Sequence, residues 1–476
     1  MTDAPDLRRA AREIFDDALK SVDAYTAVRK AVELEGTRLN IISTSLDLKN
    51  PARRHAGIYA LAIGKAALKM AMALDAVLGE HITAGIAVGP STGSPHLSTI
   101  KPSIKDSSFP IRWRVFKGGH PLPNRASLLA AQAAFELLQR AEAERALLIF
   151  LISGGGSALI EWPRDERITL RDLRAANRTL VSCGATIAEI NSVRRAFSAV
   201  KGGGLAACAP HADQLSLIIS DTGAGEESNV ASGPTFDPPT DAPEAQSVVA
   251  RYKLASNLPA AILRAVNQPA AKAATSRRAY ASRHAVREHY VLLDNQHAMA
   301  AAAQAARRRG YAVETAREIV EQAIDEGCAQ MLSRLFAPHR RRSTGEERRV
   351  VCLVSGGEFA CPVRGRGLGG RNSETVLRCA IEMDGRARAG GGDDQSRLMN
   401  IVAFSAGTDG IDGNSPAAGA LADQETVARA RLLGLDAHRF LDASDAYSFF
   451  DALGDAIVTG PTGTNVRDLR LLLAAR

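Results

Sequence analysis

Aromatic residues make up only 5% of this 476-residue chain. The two most basic stretches, Arg277-Arg278 through Arg287 and Arg340-Arg341-Arg342 with Arg348-Arg349, carry no run of aromatic rings on which bases stack, which argues against nucleic-acid binding. Nor does one sign of charge dominate: 59 basic against 52 acidic residues leave a net charge of +7. Cysteine is scarce as well. The six residues Cys183, Cys208, Cys328, Cys352, Cys361 and Cys379 show no C-x-x-C spacing. That argues against a zinc site and for reduced, buried thiols in a cytoplasmic protein. No apolar run approaches the ~18 residues of a membrane span. Residues 1–22 hold early acidic side chains and lack an apolar signal core, so no signal peptide is expected. Their spacing, with Leu7, Ala11, Ile14, Phe15, Ala18 and Leu19, predicts an amphipathic helix instead.

The chain is rich in short apolar runs that end on glycine. Leu147–Ile152 precedes Ser153-Gly154-Gly155-Gly156-Ser157, and Val350–Val354 precedes Ser355-Gly356-Gly357-Glu358. A β-rich run without polar alternation fits a strand buried on both faces of a parallel sheet. Glycines at its carboxyl end let backbone N–H groups approach an anion, at the edge where α/β sheets bind ligands. Further strands are predicted at Ile58–Ile63, Gly85–Val88, Val115–His120, Leu215–Ile219, Tyr290–Leu293 and Ile401–Phe404, with helices at Ala67–Leu78, Ala126–Ala143, Ala298–Arg309 and Asn372–Met383. This alternation predicts an α/β protein with a parallel, doubly wound sheet. The length calls for two domains. They are expected at residues 1–265 and 285–476, with the junction between about 245 and 290. Residues 386–395 are of low complexity and predict a surface loop.

Several polar groups sit at predicted strand ends. Gly64-Lys65 follows a strand and opens a helix, but Tyr59 and Ala66 break the P-loop pattern. The lysine is either a phosphate or carboxylate ligand or an ordinary surface residue. Gly365-x-Gly367-x-x-Gly370 matches the dinucleotide fingerprint only formally, because no good buried strand precedes it. A loop that carries Arg371 fits a polyphosphate better, since guanidinium binds phosphate oxygens bidentately. Asp221 and Asp409 end apolar strands and are candidate Mg²⁺ ligands, with capping as the alternative, most seriously for Asp412. Asn191, Arg194 and Lys201 are placed on one helical segment that starts near Thr186 with Glu189 in a capping box. Thr459-Gly460-Pro461-Thr462-Gly463-Thr464-Asn465 is dense in hydroxyls and free N–H groups, as a ligand oxyanion or a plain loop would want.

Taken in order, these stretches resemble the glycerate 2-kinases of the bacterial and animal type (the MOFRL / DUF4147 glycerate kinase family), whose C-terminal half is the MOFRL domain. The segments that carry the resemblance are 62–66, 119–123, 151–159, 190–203, 231–235, 365–374, 407–413 and 459–468. The resemblance implies a Rossmann-like N-terminal domain, a second α/β domain, and an active site in the cleft between them. It implies transfer of the ATP γ-phosphate to the 2-hydroxyl of D-glycerate, with Mg²⁺. By position it assigns Lys65, Arg371 and Asp221 to catalysis. Ser153, Gly154, Gly155, Gly156, Ser157, Asn191 and Arg194 fall to the substrate, and Lys201, Gly369, Gly370, Asn372, Thr408, Thr462 and Asn465 to the nucleotide. Asp221 and Asp409 fall to the metal. Where relatives read Ser-Asp-x-x-Gly-Asp, this chain has Ser220-Asp221-Thr222-Gly223-Ala224-Gly225-Glu226, so Glu226 either replaces the missing aspartate or that carboxylate is dispensable. The rival readings are a hydroxypyruvate reductase using NAD(P)H and a sugar-acid binding protein without catalysis. The oligomeric state stays open, a homodimer among the options.

Overall fold

The structure, a computed structural model, describes residues 4–50, 55–90, 109–268, 285–336, 350–389 and 400–475. The basic stretch at 340–349, most of that from Arg277, and residues 390–395 of the low-complexity segment lie outside them. The chain forms two compact units, Ala24–Leu292 and Met1–Asp23 with Leu293–Arg476; they are called here the N-terminal and C-terminal units.

In the N-terminal unit a small antiparallel sheet of β1 (Val32–Glu35), β2 (Arg38–Ile41) and β3 (Thr44–Asp47) precedes the main sheet. The main sheet comprises β4 (Ile58–Ile63), β5 (Ile82–Pro90), β6 (Trp113–Gly118), β7 (Leu147–Ser153), β8 (Asp213–Ile219) and β9 (Arg287–Leu293), in the order β6-β5-β4-β7-β8-β9. The neighbours from β6 to β8 are parallel. β4 and β7 are buried along their whole length, as continuous apolar runs in a parallel sheet must be. Helices Ala67–Leu78 and Arg125–Ala143 pack against these strands, the second held at its start by an Asn124–Ser127 capping box. Register fixes the site: Ile63 lies opposite Ile152, and Ile152 opposite Ile218. Gly64-Lys65, Ser153–Ser157 and Ser220-Asp221 therefore leave from one carboxyl edge. A separate core of Leu173, Leu180, Val193, Phe197, Val248 and Ile262 joins the helices between residues 170 and 266.

The C-terminal unit is a mixed sheet of β10 (Ala312–Ala316), β11 (Val351–Gly357), β12 (Asn400–Gly407), β13 (Gly419–Asp423), β14 (Ala456–Ile457) and β15 (Asp468–Ala475), in the order β10-β11-β15-β12-β13-β14. β10 and β11 are parallel, and β15 runs antiparallel between β11 and β12.

Four expectations are corrected. The N-terminal helix Ala4–Ser21 belongs to the C-terminal unit, not to a domain ending at 265: Leu7, Ile14 and Phe15 share a core with Met299, Phe404 and Leu471, the Phe15 and Phe404 rings lie 5.1 Å apart, and Arg8 pairs with Asp423 at 2.6 Å. β9 closes the N-terminal sheet instead of opening the second domain. The second Ser-Gly-Gly is not a terminal turn. Ser355, Gly356 and Gly357 are strand residues, paired with Arg470, Leu469 and Asp468. Also, Arg386–Ala389 continue the Arg371–Ala389 helix and are no loop.

Candidate active site

Gly64 follows β4 at φ 121°, a conformation open to glycine, and turns the chain into the helix that starts at Ala67. Lys65 N–H donates to the carbonyl of Gly154 at 2.9 Å, and Ala66 N–H to Ser153 Oγ at 3.0 Å. The lysine turn and the glycine loop are thus stitched together by backbone. Gly155 has φ 81°, and a Cβ there would sit 3.2 Å from both Lys65 Cγ and His120 Cδ2. Two basic side chains flank one glycine at the edge of a parallel sheet. Lys65 is half-buried and His120 exposed. His120 was missed from the sequence as a site residue, although its Gly-Gly-His-Pro setting marked it.

Behind this loop stands a strained segment. Ala231 and Ser232 adopt φ of 52° and 64°, followed by Gly233 at 62°. Left-handed non-glycine residues cost on the order of 1–2 kcal/mol each and gather at functional sites. The segment is pinned by Gly202 N–H to Ser232 O at 3.0 Å and Gly203 N–H to Gly233 O at 2.8 Å. Ser232 Oγ lies 2.7 Å from Ser157 Oγ and donates to Asn191 Oδ1 at 2.8 Å. Asn191, fully buried, in turn donates to Asn229 Oδ1 at 3.2 Å. Asn191 was expected on the substrate; it stands one hydroxyl behind the loop instead.

The placement of Lys201 on the Asn191–Arg194 helix is corrected. Thr186 and Glu189 cap the Ile187–Phe197 helix as expected, but Ser198 is extended, so Lys201 is not on that helix. Lys201 and its partner Glu161 are both fully buried; the ammonium bonds Glu161 Oε2 and burial pushes its pKa down. Glu161 Oε1 also accepts from Ser198 Oγ at 2.5 Å and Trp162 N–H at 3.0 Å. Arg194 is 8% exposed, donates to Asn177 Oδ1 at 3.1 Å, and is held at about 10 by desolvation against the pull of Glu161. In this structure both cations are turned inward, Lys201 onto Glu161 and Arg194 onto Asn177.

Asp221, partly exposed, begins the loop after β8. The loop closes on itself through Thr222 Oγ1 to Glu226 O at 3.0 Å and Gly225 N–H to Glu227 Oε1 at 2.9 Å. Glu226 is exposed, with its carboxylate turned toward Gly223.

In the C-terminal unit Arg371 forks onto Asp468, Nε to Oδ2 at 2.5 Å and Nη2 to Oδ1 at 3.2 Å, and Nη2 meets Glu358 Oε1 at 2.8 Å. Desolvation would lower the guanidinium pKa, but Asp468 and Glu358 carry it above the ordinary value. Burial would likewise raise the Asp468 carboxyl, yet Arg371 and the Asn372 amide hold it below its ordinary value. The Ser-Gly-Gly-Glu strand end therefore steers Arg371 through Glu358. Asp468 was not among the predicted site residues, because β15, which it opens, was not foreseen.

The neighbouring polar groups are taken up internally. Asp412, 1% exposed, accepts from the N–H groups of Gly370, Asn372 and Ser373 at 3.1, 2.9 and 2.9 Å, and burial raises its pKa. A helix N-terminus attracts an anion; here the chain supplies its own, so the capping alternative holds for Asp412. Gly369 N–H goes to Asn414 Oδ1 at 2.8 Å. Asn372 bridges Asp468 at 3.0 Å and Ser405 at 2.6 Å. Thr408 Oγ1 donates to Arg467 O at 2.7 Å, and Thr462 Oγ1 to Thr408 O at 2.6 Å. Asn465 is buried, with Arg467 N–H 3.4 Å from its Oδ1. Of the expected nucleotide set, Asn372 shares Asp468 with Arg371, while Gly369 and Gly370 are bonded to Asn414 and Asp412 and Thr408, Thr462 and Asn465 to neighbouring backbone. Asp409, partly exposed, accepts from Ile411 N–H at 3.1 Å. A cavity of about 390 Å³ in this unit, bordered by Asp384, Arg388, Arg431 and His438, is lined by none of the predicted site residues.

Fold and loops together define a class: two-unit α/β proteins whose candidate ligand loops leave the carboxyl edge of a parallel sheet. Two family models match: Domain of unknown function (DUF4147) over residues 10–267 and the MOFRL family over residues 351–468. The chain is 31% identical to a glycerate 2-kinase of Pyrococcus horikoshii, covering 98% of this chain and 97% of that protein. It is 33% identical to an Agrobacterium vitis protein provisionally named a hydroxypyruvate reductase, over 98% and 94%. The crystal structure of a Thermotoga maritima glycerate kinase matches with a TM-score of 0.70 at 27% identity, covering 98% of this chain and 99% of that one. The chain belongs to the glycerate kinase family built from the DUF4147 and MOFRL domains.

Proposed function

We propose that this protein is a glycerate 2-kinase, which transfers the γ-phosphoryl group of ATP to the 2-hydroxyl of D-glycerate. The observation that carries the reading is Lys65 and His120 flanking Gly155 at the sheet's carboxyl edge. Phosphoryl transfer needs positioning and charge neutralisation more than covalent chemistry. Lys65 supplies a cation on a backbone-fixed turn, and the Ser153–Ser157 loop supplies backbone N–H groups and the Ser157 hydroxyl beside it; Ser153 is fully buried, its Oγ accepting from Ala66 N–H and donating to Ile63 O. Arg371 supplies a second cation, fixed by Asp468 and Glu358. Asp221 is the candidate base toward the substrate hydroxyl.

Magnesium takes oxygen ligands, keeps several waters, and uses one or two carboxylates besides phosphate oxygens. Asp221 and Asp409, both partly exposed at strand ends, are donors of that kind. Among the described residues no group of three or more His, Cys, Asp or Glu side chains forms a ready metal cage. Asp221 in the N-terminal unit and Asp409 in the C-terminal unit are each a single carboxylate that would suit an ion arriving with the nucleotide, where it would neutralise phosphate charge.

The reductase reading is disfavoured by the glycine loop. A Cβ on Gly370 would meet the Gly413 N–H nitrogen at 2.5 Å, and one on Gly369 the Tyr447 nitrogen at 3.1 Å. These glycines make room for protein and not for a pyrophosphate. The test is an assay with ATP, Mg²⁺ and D-glycerate coupled first to enolase, which consumes 2-phosphoglycerate directly. A signal that needs an added mutase points to the 3-phospho isomer; absence of ADP formation sinks the kinase reading. NADH oxidation with hydroxypyruvate at a comparable rate would revive the reductase.

A further inference from the structure

Ser157 is half-buried on the glycine loop, and the side chains of Ser232, Asn191 and Asn229 are bonded in series behind it. Ser232, 1% exposed, gives its one hydroxyl proton to Asn191 Oδ1 at 2.8 Å. A hydroxyl has a single proton and two lone pairs. In the 2.7 Å contact between the two serines, Ser157 is therefore the donor and Ser232 the acceptor. In that orientation Asn191 donates its amide to Asn229 Oδ1 at 3.2 Å. The geometry of the relay leaves Ser157 Oγ with only lone pairs to offer a ligand. Lone pairs repel carboxylate and phosphate oxygens and attract an O–H.

We infer that Ser157 is a specificity-determining acceptor for a hydroxyl of the substrate, and that Ser232 and Asn191 are positioning residues that set its polarity. This rests on the kinase reading and divides labour within the loop: anionic oxygens face Lys65 and the backbone N–H groups, and one alcohol faces Ser157. The strained backbone fits the same role. The left-handed Ala231-Ser232-Gly233 segment is pinned at Ser232 O by Gly202 N–H and at Gly233 O by Gly203 N–H, and a Cβ on Gly156 would come within 2.6 Å of Ala231 Cβ. The segment is wedged against the loop so that Ser232 meets Ser157.

The test is calorimetric binding of D-glycerate, lactate (no 3-hydroxyl) and 3-hydroxypropionate (no 2-hydroxyl) to the full chain, with competition against D-glycerate for weak binders. Ser157→Ala is expected to weaken D-glycerate about tenfold, the size of one hydrogen bond near the upper end of its range. It should leave one of the two deoxy acids, the one lacking the recognised hydroxyl, within about twofold of wild type. Ser232→Ala frees the Ser157 proton and should shrink the same discrimination without abolishing binding. Equal weakening of all three acids by Ser157→Ala means that Ser157 donates to the carboxylate, and overturns the inference while leaving the kinase reading intact. No effect on any of them overturns it too. A wild-type chain that binds none of the three refutes the kinase reading and this inference with it.

Discussion

Replacing Lys201 with methionine removes an ammonium from a place where the structure gives it no solvent, one charged partner in Glu161 and a longer bond to Ser198 Oγ at 3.4 Å. Lys201 and Glu161 are both 0% exposed. Removing the cation leaves Glu161 with only the Ser198 hydroxyl and the Trp162 N–H as donors. An uncompensated buried charge of this kind costs about 3–5 kcal/mol, whereas removing both charges together is often near neutral. Lys201→Met should therefore destabilise the N-terminal unit by about 3 kcal/mol or more, and the Glu161→Gln/Lys201→Met double variant should recover most of it. Both tryptophans of the chain, Trp113 and Trp162, lie in this unit, so their fluorescence reports its unfolding alone. With urea slopes of about 1–3 kcal/mol/M the midpoint falls by about 1–2 M. The Michaelis constant for ATP should stay within about threefold of wild type. A Lys201→Met chain of wild-type stability whose ATP constant rises tenfold would refute the reasoning and return Lys201 to the nucleotide.

Arg371→Lys keeps the charge but loses the fork onto Asp468, and should lower turnover tenfold or more, on the order of 1–3 kcal/mol for charged contacts; an unchanged kcat relegates Arg371 to a surface role. Gly155→Ala forces a Cβ into a left-handed residue at φ 81° and against Lys65 and His120. It should cost about 1–2 kcal/mol in urea unfolding and reduce activity further than stability, and a neutral effect on both contradicts the geometry. Asp468 is held below its ordinary value of 3.8 in the fold, so its stabilising effect is complete above that value and is lost as pH falls through the lower native value. Asp468→Asn should therefore destabilise the C-terminal unit near neutrality, and the gap to wild type should narrow toward about pH 3 in far-ultraviolet circular dichroism melts; a gap that widens in acid is the wrong sign.

How much of this was legible in the sequence follows from which constraints are local. Buried parallel strands are continuous apolar runs, so Ile58–Ile63 and Leu147–Ile152 could be read directly, and the Thr186–Glu189 capping box announced its helix. Register then places Lys65, Ser153–Ser157 and Asp221 on one edge without further assumption. What was not legible depends on partners far apart in the chain. β15 was missed although residues 469–475 are mostly apolar, because Arg470 interrupts them; its guanidinium is buried against the Ile319 and Gly356 carbonyls, over the Phe359 ring. With β15 unseen, Asp468 had no place beside Arg371. Lys201 was misread because its buried partner, Glu161, lies 40 residues away. The two Ser-Gly-Gly motifs look alike as letters, yet one ends a strand and the other lies inside one.

The central claim is that Lys65, held over the Gly155 loop, neutralises a phosphoryl group on its way to D-glycerate. Its most direct test is a single-turnover measurement with ATP, Mg²⁺ and D-glycerate, comparing wild type with Lys65→Met and detecting 2-phosphoglycerate through enolase. The account predicts product from wild type and a loss of at least about a hundredfold in the variant, about 2.7 kcal/mol of transition-state stabilisation, with the tryptophan-detected unfolding midpoint unchanged. A Lys65→Met chain that forms 2-phosphoglycerate at the wild-type rate would contradict it.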